Sequence, residues 1–181
     1  GKLLPTIRSR CRTLKMHPPS LQEAVDIFKL SQPNITDDEA QHLLLLADSS
    51  PGIALQLHQA GGILLYQRIL SLCSHPPAKN MLDIHKLGDE VSKKESIAMW
   101  NASVYFIQHF LRQAIYFHAK TTPHHSFLKL ENKSIKQFLS RSPLVKLFQI
   151  WEKVDFLLQD TENKHLDKKA VIVTMFNLIH S

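Results

Sequence analysis

The chain has 181 residues, with 22 Lys and Arg against 16 Asp and Glu, which leaves a net charge of +6 when the histidines are neutral. A hydrophobic content of 44% and a charged content of 21% are typical of a folded domain and exclude a disordered or low-complexity protein. The longest apolar runs are too short to span a membrane, and two cysteines far apart in sequence predict neither a disulfide framework nor a zinc site. We expect a soluble protein of a reducing cytoplasm.

The basic charge is concentrated at the N-terminal end. Residues 1–16 contain five Lys and Arg and no acid, so the rest of the chain carries a net charge of only +1. A DNA-binding face needs many basic side chains on one surface, and this distribution argues against a nucleic-acid-binding domain. The chain opens on Gly-Lys without an initiator Met or a targeting segment, and we expect it to be the C-terminal part of a longer protein.

Local signals in the first half predict one short strand and then three helices. Residues 11–16 alternate apolar and polar side chains, which predicts a short strand at most. Ser20 begins a capping box, Thr36 repeats that signal, and Pro51 stands at a first helical position, where its missing N–H is not needed. We therefore predict a small helical domain over 17–75.

A proline pair marks the predicted boundary of that domain. Pro76 and Pro77 stop a helix and stiffen the connection. Beyond them, the apolar positions of residues 96–119 form a stripe wide enough for a central helix, and a second stripe covers 144–158. We therefore predict an all-α chain with a helical bundle over 79–181.

The two apolar stripes also predict a contact surface. They offer more apolar area than a bundle of roughly a hundred residues needs for its own core, and leftover apolar faces often contact a partner. The candidate interface residues are Trp100, Phe110 and Trp151. A core that serves stability alone is the competing interpretation, and periodicity does not separate the two.

Motifs for catalysis or metal binding are missing from the sequence. Among 11 histidines, His124 and His125 are adjacent and point apart, and no HExxH or CxxC accompanies them, so we interpret them as solvated. The sequence has no GxSxG and no GxxxxGK[ST], and Cys73 at an apolar helix end is typical of a buried thiol. We predict no metal, no bound cofactor and no enzymatic activity of this chain by itself.

One basic segment carries a specific pattern. Residues 3–11 read Leu-Leu-Pro-Thr-Ile-Arg-Ser-Arg-Cys. They resemble the stretch that closes the nucleotide-binding domain of AAA+ clamp-loader subunits, with the family's Ser-Arg-Cys signature at Ser9, Arg10 and Cys11. The resemblance implies that Arg10 is an arginine finger toward ATP on a neighbouring subunit, where a planar guanidinium presents two parallel donors to phosphate oxygens. A basic turn that only binds carboxylates or helix carbonyls is the alternative, and it fits the flanking arginines better.

A second match lies at residues 49–55, which are similar to the start of the family's sensor-2 helix. Pro51 and Gly52 keep the pattern, but Ile53 stands where members that hydrolyse ATP carry a basic residue. The resemblance therefore implies a delta-prime type of subunit, which supplies a finger without hydrolysing ATP. Residues 60–66 are similar to the same type of subunit, and residues 151–154 and 163–169 resemble the family's C-terminal collar. The resemblance is strong over 3–16 and 49–66 and weak over 79–143.

The resemblance implies three pieces and a set of partners. Residues 1–16 correspond to the end of the nucleotide-binding domain, 17–75 to the helical lid, and 79–181 to the collar that joins neighbouring subunits. The implied partners are gamma/tau motor subunits, which hold ATP and Mg, and a delta subunit; the sliding clamp and primed DNA are indirect partners. Two alternatives remain open. One is a gamma/tau-like ATPase subunit, against which Ile53 argues, and the other is a stand-alone helical adaptor or nucleic-acid-binding module.

Overall fold

The structure, a computed structural model, describes residues 4–12, 17–119 and 129–181, which contain ten α-helices and no strand. The prediction of an all-α chain is confirmed. Most of the predicted strand, residues 13–16, lies outside the described residues, and Cys11 and Arg12 have irregular backbone. The helices are α1 (Pro5–Arg8), α2 (Leu21–Ser31), α3 (Asp37–Leu46), α4 (Pro51–Gln59), α5 (Gly62–Ser74), α6 (Pro77–Val91), α7 (Ile97–His118), α8 (Lys129–Leu139), α9 (Leu144–Lys164) and α10 (Lys168–His180).

Side-chain caps begin α2, α3 and α4. Ser20 and Glu23 form a complete capping box, in which the Ser20 hydroxyl accepts from the Glu23 amide at 3.3 Å and the Glu23 carboxylate accepts from the Ser20 amide at 2.8 Å. Thr36 accepts from the Glu39 amide at 3.3 Å, and Ser50 caps α4. These caps satisfy amides that have no partner inside the helix, which fixes where each helix starts.

Residues 17–75 form four helices, where the sequence predicts three. The extra break lies between α4 and α5, where Gly61 and Gly62 have φ values of 113° and 54°. Glycine adopts this left-handed region without the steric cost that a Cβ brings, so the pair ends one helix and starts another. The predicted stop at the proline pair is confirmed, because α5 ends at Ser74 and α6 begins at Pro77.

The helices pack around one continuous core. Helices α2, α3 and α4 pack on one another, and α7 lies at the centre of the rest, in contact with α4, α5, α6, α8 and α9. Helix α5 packs on α3 and α4 and also on α7 and α8. The core runs without interruption from Phe28 in α2 to Phe176 in α10. The division into domains at residues 75–79 stays a prediction.

Helix α10 closes the bundle by packing on α6, α9 and α5. An ion pair between Lys169 and Asp89 joins α10 to α6. At the far end of α10, Nε2 of His180 donates to the carbonyl of Leu72 at 2.9 Å, and this bond satisfies a free carbonyl at the end of α5. Arg141, which follows α8, donates a hydrogen bond to the carbonyl of Ser74, the last residue of α5.

Candidate functional site

Arg10 lies on an exposed turn directly after the single turn of α1. The turn is closed by local hydrogen bonds: the Arg10 amide donates to the carbonyl of Ile7 at 3.1 Å, and the Ser9 hydroxyl donates to the carbonyl of Thr6 at 3.1 Å. Cys11 is exposed beside it. The two side chains of α1 that the structure describes, Thr6 and Ile7, are exposed and lie outside the core. The guanidinium of Arg10 is thus presented to solvent from a locally built turn.

The start of α4 lacks any charged side chain in its first turn. Pro51 occupies the first position, and Ser50 accepts from the Ile53 amide at 3.5 Å. A Cβ placed on Gly52 would contact nothing within 4 Å, and Ile53 exposes 36% of its surface. This helix end can present amide N–H groups to a ligand but no cation. None of the hydrogen bonds and ion pairs that the described residues make joins it to the Arg10 turn.

A strained turn leads into α4. Asp48 and Ser49 have φ values of 50° and 59°, a region that residues with a Cβ rarely adopt. The turn is held from within by the Ser49 amide, which donates to the carbonyl of Leu44 at 2.7 Å in the pattern of a Schellman motif. It is also held by α7, because the Tyr105 hydroxyl donates to the carbonyl of Leu46 at 2.8 Å.

Arg112 connects the turn between α3 and α4 to the interior of the bundle, because it contacts Asp48 in the turn and His109 in α7. Its Nη2 atom lies 3.5 Å from Oδ2 of Asp48 and 3.2 Å from Nδ1 of His109, one helical turn earlier on α7. The rings of Tyr105 and His109 stack at an angle of 17° with centroids 6.4 Å apart. Burial raises the pKa of Tyr105, and the Asp48 carboxylate adds to that shift. Tyr105 therefore remains a proton donor at neutral pH.

The inner side of His109 faces a buried carboxylate. His109 and Glu131 expose only 4% and 2% of their surface, and Nε2 of His109 lies 3.4 Å from Oε1 of Glu131. The Tyr66 hydroxyl donates to the same oxygen. Burial, followed by the Glu131 charge, raises the pKa of Tyr66 well above its usual value. The second oxygen of Glu131, Oε2, and the facing Nε2 of His109 are buried without a hydrogen-bond partner among the described residues.

The three predicted interface residues differ in exposure. Phe110 is fully buried, with its ring centroid 5.3 Å from that of Phe138 in α8. A side chain without accessible surface cannot contact another chain, so the prediction for Phe110 is wrong: its position in the wide stripe of α7 serves the core. Trp100 and Trp151 are half-buried, and each borders a surface cleft.

The sequence predicts surplus apolar surface over residues 144–158 but does not identify the residues of α9 that form it. Val145, Phe148 and Phe156 lie along its outer face with 70%, 50% and 65% of their surfaces exposed, while Leu147, Ile150 and Val154 face the core. A cleft of about 230 Å³ lies beside Phe148, lined by Arg112, Ile115, Tyr116, Phe148 and Trp151. In the sequence, Val145, Phe148 and Phe156 are separated by three and then eight positions. This helical spacing overlaps that of the residues of α9 that face the core.

A wider cleft separates α7 from the C-terminal half of α9. It measures about 630 Å³ and mixes apolar and polar side chains, among them Trp100, Asp155 and Glu162. Nζ of Lys168 lies 5.8 Å from the Trp100 ring centroid, where the ammonium interacts with the aromatic face. The turn into α10 is capped by Asp167, which accepts from the Ala170 amide at 2.9 Å.

His124 and His125, which the sequence suggests are solvated, lie outside the residues that the structure describes. In 4–12, 17–119 and 129–181, no group of three or more His, Cys, Asp or Glu side chains is placed to hold a metal ion. No helix of the described part combines the length and apolar character needed to cross a membrane.

Comparisons with known proteins give no match: no protein-family model, no curated protein and no solved structure is similar to this chain. Inference about function therefore depends on the residues themselves. Three features of the described residues bear on function: the exposed Arg10 turn, the uncharged start of α4 and the apolar outer face of α9.

Proposed function

We propose that the chain is a delta-prime-type subunit of a bacterial DNA polymerase III clamp loader, acting in the cytoplasm at the replication fork. The observation that carries the proposal is the segment Leu-Pro-Thr-Ile-Arg-Ser-Arg-Cys over residues 4–11, with Arg10 exposed on its closing turn. The chain then contributes to ATP-driven loading of the sliding clamp on primed DNA without catalysing hydrolysis itself.

In this proposal Arg10 acts on ATP and Mg held by a neighbouring gamma/tau motor subunit. A guanidinium offers two parallel N–H donors and a permanent positive charge, both of which suit the charge that builds on the γ-phosphate oxygens during hydrolysis. An exposed position on a turn is what a group acting on another chain requires. The same contact couples the nucleotide state to the packing of the two subunits.

The start of α4 favours the delta-prime type over a gamma/tau-like ATPase subunit. Its first turn carries Ile53, whose side chain can make no ion pair with a phosphate. A subunit that hydrolyses ATP gains from a cation at this point, because the amides of a helix start bind phosphate but supply no full charge.

The collar contact is assigned to the outer face of α9. Phe148 and Phe156 expose apolar area that the core does not use. The half-buried Trp151 of α9 adds to this area, and Tyr116 extends it onto α7. Aromatic side chains of this kind are enriched at the centre of protein interfaces. We propose that this face contacts the motor and delta subunits.

Co-elution with those subunits tests the assembly role. The 181-residue chain is mixed with the motor and delta subunits and analysed by size-exclusion chromatography with light scattering, and we expect one larger species. The double variant F148S/F156S should abolish that species. Leu30→Ser on α2, which also removes an exposed apolar side chain, is the matched control and should leave it intact. A wild-type chain that elutes alone overturns the assembly role.

The arginine finger is tested by ATPase measurements on the reconstituted loader. The chain is used with the nucleotide-binding domain that the proposal places before residue 1. Arg10→Ala should lower the DNA-stimulated ATPase of the motor subunits by roughly a thousandfold or more, as loss of other fingers in trans does. Arg12→Ala removes the same charge two residues away and should change it little. Equal effects of both variants contradict a specific role for Arg10.

The stand-alone adaptor or nucleic-acid-binding module predicts a different result. Binding of labelled DNA by the chain alone, with an affinity that falls steeply as salt rises, would indicate that the basic N-terminal end is a DNA contact. We expect little binding, because the rest of the chain is nearly neutral.

A further inference from the structure

The cleft beside Phe148 combines apolar walls with a single charged group. Ile115, Tyr116, Phe148 and Trp151 form the walls, and Arg112 is the one charged residue among the described residues that line it. Its volume of about 230 Å³ exceeds the roughly 150 Å³ of a protein cavity that holds benzene. The cleft can therefore take one apolar side chain of a ligand, with a guanidinium at its edge.

Arg112 keeps donors for such a ligand. Its contacts with Asp48 and His109 both use Nη2, at 3.5 Å and 3.2 Å, whereas a guanidinium has five N–H groups. The side chain of Asp48 is 72% exposed, and an ion pair this open to water is weak because solvent screens it. A carboxylate that approaches over the apolar cleft meets less water, so the same guanidinium binds it more strongly.

The cleft is continuous with the apolar outer face of α9 through Phe148, which belongs to both. This face runs for about three helical turns, from Val145 to Phe156, or roughly 16 Å at 1.5 Å per residue. A small molecule in the cleft leaves Val145 and Phe156 uncovered, whereas a helix that lies along α9 covers all three side chains. The length of the face thus favours a helical segment as the occupant.

The charge beside the outer face changes along α9. Next to Phe148 the charged groups are the cations Arg112 and Lys146. In the middle, the neighbouring Glu152 and Lys153 offset each other. The carboxylates lie further along the helix and are Asp155, Asp160 and Glu162. This distribution favours a partner that brings acidic groups to the cleft end of the face.

We propose that the cleft and the outer face of α9 dock an amphipathic helix of a partner protein, with one of its apolar side chains in the cleft and one of its carboxylates on Arg112. Residues three or four apart lie on the same side of a helix, so an apolar anchor and an acid at that spacing reach both groups together. The inference rests on the proposed function in one respect, that this face contacts another protein, and it adds the chemistry of the docked segment.

Three synthetic peptides test the docking chemistry. Each has about 15 residues, is rich in alanine so that it forms a helix, and carries a row of leucines on one side. Four positions from the central leucine the three peptides have Glu, Gln or Lys. Binding is followed by NMR of the indole N–H signals. Trp151 lies in the cleft wall, and Trp100, which borders the other cleft, is the internal control.

We expect the Glu peptide to shift the Trp151 signal and leave that of Trp100 unchanged. Trp100→Phe assigns the two signals by subtraction. The Glu peptide should bind on the order of tenfold more tightly than the Gln peptide, which is the effect of one charge-assisted hydrogen bond. The Lys peptide should bind more weakly still, because its ammonium faces a guanidinium.

Variants of the chain identify the groups that bind the peptide. Arg112→Gln should reduce the affinity for the Glu peptide to that for the Gln peptide. Arg68→Gln, which removes the same charge from α5, should leave it unchanged. Phe148→Ser should abolish the Trp151 response to all three peptides.

Several outcomes overturn the inference. They are equal affinities of the three peptides, equal effects of the two arginine variants, and a wild-type Trp151 signal that does not respond. A dimer of the peptide-free chain that covers Trp151 also overturns it, because the face then belongs to a second copy. The peptides need no loader subunit, so their failure with intact co-elution overturns the docking chemistry alone, and the reverse result overturns the proposed assembly role alone.

Discussion

Cys11 and Cys73 lie in opposite environments. Cys11 is exposed beside the Arg10 turn, whereas Cys73 is fully buried, and burial raises the pKa of its thiol. Thiolate is the reactive form of cysteine, so a buried thiol held neutral reacts only after the chain opens. We predict that Ellman's reagent labels one thiol rapidly in the native chain and the second only in denaturant. Cys11→Ser should abolish the rapid phase, and two rapid thiols would contradict the burial of Cys73.

His180 gives the stability of the fold a pH dependence. Burial lowers its pKa below the usual value of 6.5, although its hydrogen bond to Leu72 partly opposes the shift. The unfolded chain therefore takes up a proton at a higher pH than the folded chain. Stability is complete above the unfolded pKa and is lost as the pH falls from that value toward the lower folded one.

The measurement for His180 is urea unfolding of wild type and His180→Gln between about pH 7.5 and about pH 5. Glutamine keeps an N–H donor but does not titrate in this range. We expect the stability advantage of the wild type to shrink as the pH falls. An advantage that stays constant across the range would show that His180 does not titrate differently in the folded chain.

The role of a residue can be predicted from the sequence when it depends only on the next few positions of the chain. It is harder to predict when it depends on which helix packs beside the residue. Ser20 and Thr36 act only on the amides that follow them, and both caps are confirmed. Phe110 lies in the apolar stripe of α7 and was predicted to be at an interface, but it is fully buried, whereas Phe148 in the stripe of α9 is half exposed. Which flank of a wide stripe is covered depends on the neighbouring helices, and no single helix encodes that.

The close packing of α6 against α10 depends on a glycine. A Cβ on Gly88 would lie 2.9 Å from Cγ and 3.6 Å from Cα of Lys169, whose ammonium is held by Asp89. We predict that Gly88→Ala lowers the free energy of unfolding by about 1–2 kcal/mol, because the separation of the helices outweighs the higher helix propensity of alanine.

Gly52→Ala is the matched control for that prediction. It lies in the first turn of α4, where an added Cβ meets nothing within 4 Å. Denaturant unfolding should show this variant to be unchanged or stabilised by up to about 1 kcal/mol. Stabilisation by both substitutions would contradict the tight approach of α6 and α10.

Helices with strong start signals are predictable, and helix α8 is not. Its buried positions include Glu131 and Ser134 as well as Ile135 and Phe138, so the buried face lacks the apolar pattern that predicts a helix. The break at Gly61 is ambiguous for another reason, because a glycine inside a helical pattern is tolerated in some proteins and ends the helix in others.

At the scale of the whole molecule, the continuous core predicts cooperative unfolding. Both tryptophans lie in α7 and α9, so fluorescence reports on the bundle, whereas circular dichroism reports on all helices including α2, α3 and α4. We predict that the two signals follow the same urea transition. Leu43→Ala in α3 should shift both midpoints together, by about 2–5 kcal/mol in free energy. An early dichroism step without a fluorescence change would show that residues 17–75 unfold separately from the rest of the chain.

The all-α class follows from the sequence because helix periods and caps are local properties. The line of contacts that runs from the exposed Asp48 carboxylate inward to the Tyr66 hydroxyl does not, since its five members come from four parts of the chain and none belongs to a recognisable motif. The candidate site divides in the same way: the Arg10 signature is contiguous and readable, and the outer face of α9 is visible only once the helices are placed.

The position of α10 has a consequence for the time course of synthesis. The ion pair between α10 and α6 joins Lys169 to Asp89, which are 80 residues apart in sequence. At roughly 5–20 residues per second, a ribosome needs about 4–16 s to make that interval. During those seconds Ile84, Leu87 and Val91 of α6 lack the helix that buries them. The nascent chain thus passes through a period in which a chaperone that binds apolar helices competes with the chain's own last helix.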